Sequence, residues 1–266
     1  MNSYTLNNVD FTRSSDNFTE GLMRINTLNQ ALKKEFGEKV VKLSIDAGFT
    51  CPNRDGSKGF GGCTFCSSRG SGDKASTIDD QIALLSKKWP NAKYLAYFQN
   101  YTGTYAPVPK LRELYYGVLD DPRILGLAIA TRSDCIDDEC LKLLDEINKE
   151  HFLWVELGLQ TIHEDSAHRL NLCHTLGDYD ETISKLNALN IRTVTHLILG
   201  LPSESKHDMK MSVTHAIKSN TWGLKLHLLN MISGTKLAKD LPDYLPFESM
   251  DECSCTVRKQ ATENKR

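Results

Sequence analysis

The pattern of apolar and polar positions alternates between short apolar runs and amphipathic stretches. Six runs rich in β-branched, aromatic and other apolar residues predict strands over residues 40–45, 94–98, 124–130, 152–157, 192–199 and 224–229. Apolar residues recur at helical spacing over residues 23–36, 76–89, 108–118, 137–148, 163–170, 179–189 and 205–218. Strands that alternate with helices predict parallel β/α units joined by right-handed crossovers. The sequence therefore predicts an α/β fold in which six units form most of a barrel, although an open doubly wound sheet gives the same alternation.

Both ends of the chain lack this periodicity. Residues 1–22 are rich in Asn, Ser and Thr, which predicts a loosely ordered N-terminal arm. Residues 251–266 carry no apolar stripe, so we expect a disordered or altered tail, in which Cys253 and Cys255 are poor ligand candidates. Residues 23–250 contain no repeat, low-complexity tract or linker and are predicted to form one domain.

Composition narrows the function classes. The net charge of −2 argues against a protein that binds nucleic acid mainly by bulk charge. No apolar run reaches the roughly 18 residues that a membrane span needs, and the polar start has no signal-peptide core, so we expect a cytoplasmic protein with no membrane partner. In that location the eight cysteines are expected to stay reduced.

Three of these cysteines follow the first predicted strand in one glycine-rich loop. Cys51, Cys63 and Cys66 have the spacing C-x11-C-x2-C, and the glycines and turn formers between them allow the loop to fold back. Three thiolates with no obvious fourth ligand favour an open, reactive metal site over a closed structural one. The alternative is a zinc knuckle completed by a histidine, but neither His151 nor His163 has the required spacing to the triplet.

The runs KLSIDAGFTCPNRDG and GGCTFC resemble the cluster loop of radical S-adenosylmethionine (radical SAM) enzymes. The resemblance is to the YhcC/YtqA-like branch, which is related to the radical SAM domain of the elongator catalytic subunit. It implies a partial (β/α)6 barrel and a [4Fe-4S] cluster held by Cys51, Cys63 and Cys66, with SAM on the fourth iron. The usual family spacing is C-x3-C-x2-C, so the first gap is longer here.

The resemblance also implies a reaction. Such an enzyme cleaves SAM reductively with an electron from a donor such as flavodoxin or ferredoxin, and the resulting radical abstracts hydrogen from a substrate. The sequence does not identify that substrate, and the elongator kinship leaves tRNA open. The alternative from another class is a metal-stapled module that binds RNA or a protein without SAM chemistry.

Polar residues that follow the next strands are candidate SAM ligands. Gln99, Asn100 and Tyr101 occupy the place of the motif that contacts the SAM amino group in the family, although a polar strand-to-loop turn has the same pattern. Gln160 matches the glutamine that binds the SAM ribose in proteins similar to coproporphyrinogen dehydrogenase. Arg132 follows the third strand and can meet SAM or an anionic substrate through its planar fork, the alternative being a solvated arginine.

Three further positions complete the candidate cofactor site. Glu156 lies within an apolar strand and is expected to face the barrel mouth and find a partner, because a buried unpaired carboxylate is costly. Leu199 and Gly200 resemble the strand that frames the adenine.

The family segment usually written NRGH reads NLCH here, so Leu172 stands where an arginine for the SAM carboxylate is expected, and Arg132 or Arg169 can replace it. His174 is retained as a candidate proton donor or a packing histidine.

Overall fold

The computed structural model describes residues 26–70 and 74–247, and their strands form one parallel sheet in the order β1-β2-β3-β4-β5-β6. Each strand pairs with the strand that precedes or follows it in the chain, and β1 does not pair with β6. A doubly wound sheet reverses its strand order, whereas this sheet winds in one direction. The predicted partial (β/α)6 barrel is confirmed, and its sheet is curled but open.

The strands are Val40–Ile45 (β1), Lys93–Phe98 (β2), Ile124–Arg132 (β3), Phe152–Gln160 (β4), Arg192–Leu199 (β5) and Gly223–Leu228 (β6). The helices are Leu28–Phe36 (α1), Ile78–Leu85 (α2), Val108–Leu119 (α3), Asp138–Glu150 (α4), Glu164–Arg169 (α5), Leu176–Ala188 (α6), Lys206–Lys218 (α7) and Lys236–Asp240 (α8). A short 3-10 turn, Ser133–Cys135, follows β3. The predicted N-terminal arm and C-terminal tail lie outside the described residues, so both stay predictions.

Side-chain caps define where most of the helices begin. Thr27 caps α1 in a reciprocal arrangement with Gln30, and the same kind of capping box starts α6 and α7. Gly37, with φ of 76°, ends α1 in the left-handed conformation that glycine adopts without strain. The helix predicted to run to residue 89 ends at Leu85, and residues 86–92 turn instead.

Strand β4 is longer than the apolar run predicted. It continues through Gly158 to Gln160, because Gly158 still pairs with Arg132 of β3 and with His196 of β5. The register between β4 and β5 shifts at this point, and Gln160 has φ of 67°. Backbone pairing with neighbours on both sides therefore outweighs the low strand propensity of glycine, and it brings Gln160 to the end of the strand.

The two faces of the sheet bury different cores. The convex face packs against the helices through fully buried residues such as Leu43, Leu127 and Leu157. On the concave face, Leu95 and Trp154 form an apolar floor with other small and branched residues, and α1 covers this floor through Leu32. The barrel is thus closed at the amino ends of its strands. Across the described ranges, no helix is long and apolar enough to cross a bilayer.

Leu127 tests the core on the convex face. Its side chain is 0% exposed, so we expect Leu127→Ala to lower the free energy of unfolding by about 2–5 kcal/mol through lost burial and the cavity left behind. Leu84→Ala is the matched control, because Leu84 is 61% exposed and should change the value by about 0.5 kcal/mol or less. Urea unfolding followed by circular dichroism measures both, and equal midpoints would contradict the assignment of Leu127 to the core.

Candidate functional site

The cysteine loop leaves the carboxyl end of β1 and folds back on itself. The backbone amide of Gly62 donates to the carbonyl of Asn53 at 2.8 Å, and that of Cys66 donates to Cys63 at 3.0 Å. Gly62 has φ of 76°, a conformation that favours glycine. The bond between Gly62 and Asn53 closes the long first gap between Cys51 and Cys63, so that the extra residues form a compact turn.

Neighbouring segments hold the loop in place. The amide of Thr64 donates to the carbonyl of Leu170 at 2.9 Å, and the amide of Leu237 donates to Thr64 at 2.8 Å. The side-chain amide of Asn171 donates to the carbonyl of Gly62 at 2.9 Å. Asn53 is fully buried, and its side-chain nitrogen bonds both Asn171 O and the sulfur of Cys63. The loop is therefore fixed from both the α5–α6 connection and α8.

The structure brings the three predicted cysteines together. The thiols of Cys63 and Cys66 hydrogen-bond to each other, which raises the pKa of Cys63 and lowers that of Cys66. Cys51 is close enough to interact electrostatically with Cys66, and the guanidinium of Arg54 also favours the Cys66 thiolate. A thiol must lose its proton to bind a metal, and the surroundings of Cys66 favour that loss. The role of all three as cluster ligands stays a prediction.

A single metal ion and an iron–sulfur cluster place different demands on their ligands. Over residues 26–70 and 74–247, no group of three or more His, Cys, Asp or Glu side chains converges as one metal ion requires. A zinc knuckle needs such convergence because all its ligands bind the same ion. An iron–sulfur cluster distributes its thiolates over several irons. The choice between a cluster and a zinc ion therefore stays a prediction.

Buried polar atoms without partners lie in the cysteine loop and in the turns that follow β2 and β3. Within the described ranges, the following atoms are buried and accept or donate no hydrogen bond: Asn53 Oδ1, Thr64 Oγ1, Asn100 Oδ1, Thr102 Oγ1 and Ser133 Oγ. All of them lie in the loops that follow β1, β2 and β3. Buried polar atoms are normally paired, because leaving one unpaired costs about 1–3 kcal/mol. Their concentration at the mouth fits a site that a polar cofactor completes.

The three candidates after β2 have different surroundings. Gln99 accepts a hydrogen bond from Ser44 at 3.0 Å, inside the barrel. Tyr101 has φ of 55°, donates to the carbonyl of Ser68 at 2.8 Å and lies under the guanidinium of Arg54, whose carbon is 5.4 Å from the ring centroid. Tyr101 therefore braces the cysteine loop. Asn100 is the candidate whose side-chain oxygen is buried and unpaired.

Arg132 is engaged by the protein itself. Its Nε and Nη2 each bond a carboxylate oxygen of Asp134 at 2.9 Å. Its Nη1 donates to the carbonyl of Leu172 at 2.7 Å, and Nη2 donates to that of Cys173 at 3.0 Å. Arg132 thus fastens the α5–α6 connection to the end of β3. Leu172 itself is 1% exposed and packs in an apolar cluster that includes Cys63.

The remaining candidates lie at the ends of β4 and β5. The carboxamide of Gln160 folds over Gly158, where an added Cβ would meet its nitrogen at 2.8 Å, and no hydrogen bond to it is found in the described part of the chain. Leu199 packs in the helix-facing core and is 1% exposed. Gly200, with φ of 80°, is covered by Phe247, which an added Cβ would meet at 2.8 Å. These three residues do not form one contact surface, and their SAM contacts stay predictions.

Glu156 is the centre of a buried charge cluster on the concave face. Its Oε1 accepts from Lys42 at 2.9 Å, and its Oε2 accepts from Lys225 at 3.0 Å, Tyr97 at 2.6 Å and His196 at 2.7 Å. Burial alone would raise the pKa of Glu156, but the two ammonium groups hold it well below its usual range. We call these residues the lysine–glutamate network: Lys42, Tyr97, Glu156, His196 and Lys225.

The sequence predicted that Glu156 has a partner but did not identify which residues pair with it. The available signal was the polar alternation within two strands, since β1 reads VVKLSI and β6 reads GLKLHL. Alternate residues of a strand share a face, so Lys42 and Lys225 had to lie on the face opposite the apolar positions. A contact of Glu156 with SAM stays a prediction, and both its carboxylate oxygens already accept from protein donors.

His174 lies away from this network. Its Nδ1 is buried without a partner in the described residues, and burial lowers its pKa. It lines a cavity of about 420 Å³ together with Lys58, Asp134 and residues of α5 and α6. A role as substrate-side proton donor stays a prediction.

Comparison with known proteins places these features in a family. The family model of the Radical SAM superfamily matches residues 51–216, beginning at the first cysteine of the loop. YtqA of Bacillus subtilis is 43% identical over 239 residues, which cover 86% of this chain and 74% of YtqA. YhcC of Escherichia coli K12 is 38% identical over 220 residues, which cover 81% of this chain and 71% of YhcC.

More distant proteins are similar to this chain over part of its length or in fold. Elongator complex protein 3 of Schizosaccharomyces pombe is 29% identical over 121 residues, which cover 44% of this chain and 22% of that protein. The structure of methylornithine synthase superposes with a TM-score of 0.58 at 13% identity, over 88% of this chain and 66% of that one. The structure of Elp3 of Methanocaldococcus infernus superposes with a TM-score of 0.54 at 17% identity, over 84% of this chain and 53% of that one. At these identities the structures show the shared fold.

The match of the family model, the identity to YtqA and YhcC, and the open β/α barrel lead to the same assignment. This chain belongs to the radical SAM superfamily, in the branch that contains YtqA and YhcC.

Proposed function

We propose that this chain is a radical SAM enzyme in which Cys51, Cys63 and Cys66 hold a [4Fe-4S] cluster. The observation that carries the proposal is the clustering of these thiols in a tightly fastened loop at the barrel mouth. When bound, the cluster would supply an electron for the reductive cleavage of SAM, and the radical so formed would abstract hydrogen from a substrate. The protein's own part is to bind, orient and exclude water.

The loop residues are suited to hold thiolates. Arg54 lies beside Cys66 and favours its ionised form, while its guanidinium also donates to the carbonyl of Ser67 at 2.6 Å. The amide of Asn53 donates to the sulfur of Cys63. Hydrogen bonds to thiolate sulfur and nearby positive charge both stabilise an anionic cluster and influence its reduction potential.

Asn100 and Gln160 are the strongest candidates to contact SAM. Asn100 offers a buried, unpaired carbonyl oxygen, which suits the protonated amino group of SAM. Gln160 offers a carboxamide with no partner in the described residues, at the carboxyl end of β4. In parallel β/α barrels, reactive groups come from this end of the strands.

The proposed chemistry suggests an electron donor and a location. An oxygen-sensitive cluster requires reduced thiols, which supports a cytoplasmic location and a low-potential electron donor such as flavodoxin or ferredoxin. A tRNA substrate is suggested only by the elongator similarity, and the net charge of −2 gives it no general electrostatic support.

The cluster is tested by iron content. After anaerobic reconstitution, the wild-type chain should contain about four irons, and the triple variant Cys51→Ala/Cys63→Ala/Cys66→Ala should contain almost none and cleave no SAM. Cys140→Ala is the matched control, because Cys140 is a buried core residue on α4, and it should keep full iron. Iron and SAM cleavage that persist in the triple variant, or a colourless protein with bound zinc, would refute the proposal.

The role of Asn100 is tested by SAM affinity. If its side-chain oxygen accepts from the SAM ammonium, Asn100→Ala loses a charge-assisted hydrogen bond, and the Kd for SAM should rise about tenfold or more. Asn29→Ala is the control, since Asn29 is exposed on α1 at the opposite end of the barrel. Equilibrium binding to the reconstituted protein measures both. An unchanged Kd in Asn100→Ala would remove Asn100 from the site.

A further inference from the structure

The lysine–glutamate network contains more ammonium donors than the protein uses. Each lysine ammonium has three N–H groups. Among the described residues, Lys42 donates to Glu156 alone, and Lys225 donates to Glu156 at 3.0 Å and to the Tyr97 hydroxyl at 2.8 Å. The ammonium of Lys42 also lies 4.0 Å from the centroid of the Tyr97 ring. Donors on both lysines therefore remain available for a further acceptor.

The network also carries surplus positive charge. Two lysines face one carboxylate, and the charged groups that act on both histidines are Lys42, Lys225 and Glu156. Burial lowers the pKa of His196 to about 4 and that of His227 well below its usual range, so both rings are neutral near pH 7. A surplus cation in a low-dielectric interior is costly unless an anion compensates it.

The two lysines and His196 are more exposed than the carboxylate that they share. The side chains of Lys42 and Lys225 are each 14% exposed and that of His196 is 13% exposed, whereas that of Glu156 is 1% exposed. The ring of His227 lies beside that of His196, with 5.1 Å between centroids, and no hydrogen bond to it is found in the described residues. The apolar floor containing Trp154 closes the barrel below. Both lysines thus keep some accessible surface on the concave face of the sheet.

We propose that the lysine–glutamate network, together with His227, binds the anionic group of the substrate, a carboxylate or a phosphate. This inference rests on the proposed function for the identity of the bound molecule as substrate. Ser44 lies two residues beyond Lys42 on β1, which is about 6.6 Å nearer the mouth. A substrate anchored at the lysines therefore extends toward the cysteine loop, and the carbon that loses hydrogen lies between the anchor and that loop.

Binding of two probe anions tests the site directly. Inorganic phosphate and acetate are titrated into the full chain by calorimetry at constant ionic strength, with sodium chloride as the reference. We expect at least one of them to bind the wild-type chain, and Lys42→Gln and Lys225→Gln to weaken it about tenfold or more. Tighter phosphate binding would indicate a phosphorylated substrate, and tighter acetate binding a carboxylic acid.

Two further variants make the result decisive. Lys149→Gln is the matched control, because Lys149 is 68% exposed on α4, and it should bind as the wild type does. His227→Ala removes a proposed contact and leaves the charges of Lys42, Lys225 and Glu156 unchanged, so it should weaken anion binding several-fold. This variant tests the site even where the lysine variants do not fold. No binding beyond the chloride reference, or equal binding by wild type, Lys225→Gln and His227→Ala, would overturn the proposal.

The dependence of acetate binding on pH gives an independent readout. Burial lowers the pKa of Lys225 to about 8, although Glu156 opposes the shift. Because acetate keeps its charge over this range, its affinity should fall as the pH rises from 7 to 9 and Lys225 loses its proton. The other groups that face Lys225 are Glu156, Lys42, Tyr97, His196 and His227. In Lys225→Gln this fall should disappear, and a fall that persists would contradict the role of Lys225.

The same titrations separate this inference from the proposed function. The triple cysteine variant should bind the probe anions as the wild type does, since the network makes no contact with the cysteines. If the reconstituted wild-type chain binds the anions but holds no iron, the cluster is refuted and the anion site is not. Iron and SAM cleavage without anion binding would refute the anion site alone.

Discussion

The common direction of the six strands is the constraint on which the site depends. Because all of them run parallel, their carboxyl ends meet at one edge of the curled sheet. The cysteine loop after β1 therefore lies beside the polar turns after β2 and β3, although these segments are far apart in sequence. The buried, unpaired oxygen of Asn100 and the hydroxyl of Ser133 belong to those turns. One edge thus concentrates the groups that a cofactor can satisfy.

Below this edge, the interior of the barrel is arranged in layers. The floor is apolar, and its buried Trp154 stacks on the exposed Trp222 with 5.9 Å between ring centroids. The lysine–glutamate network lies above it, and the hydrogen bond between Ser44 and Gln99 lies nearer the mouth. Replacing a buried ion cluster with apolar residues often stabilises a protein. A charge cluster above an apolar floor is therefore a costly way to gain stability, which favours a role in binding.

Local patterns in the sequence predicted the elements well and their contacts poorly. Strands β1 and β5 have the predicted bounds, because apolar runs and flanking turn residues are local signals. The helix starts at Thr77 and Ser205 follow from capping chemistry, which is also local. The extension of β4 to Gln160 depends on pairing with two other strands. Such partners come from elsewhere in the chain, so a single strand does not reveal them.

The same limit applies within the site. The three cysteines share one loop, so their spacing alone predicted that they meet. Lys42 and Lys225 lie 114 and 69 residues from Glu156, and only the curvature of the sheet brings them together. Arg132 shows the opposite case. This side chain was predicted to meet SAM, an anionic substrate or solvent, but the carbonyls of Leu172 and Cys173 and the carboxylate of Asp134 take its donors.

In the proposed function, the engagement of Arg132 bears on which side chain would meet the carboxylate of SAM. Leu172 stands where the family pattern has an arginine, and it is buried in an apolar cluster that includes Cys63. Arg132 is held by Asp134 and by backbone carbonyls. Arg169 is exposed and donates to the hydroxyl of Ser203 at 2.6 Å, a partner that a carboxylate can displace at small cost because the pair is solvated. Of the two arginines considered as substitutes, Arg169 is therefore the one whose charge is still available to an incoming carboxylate.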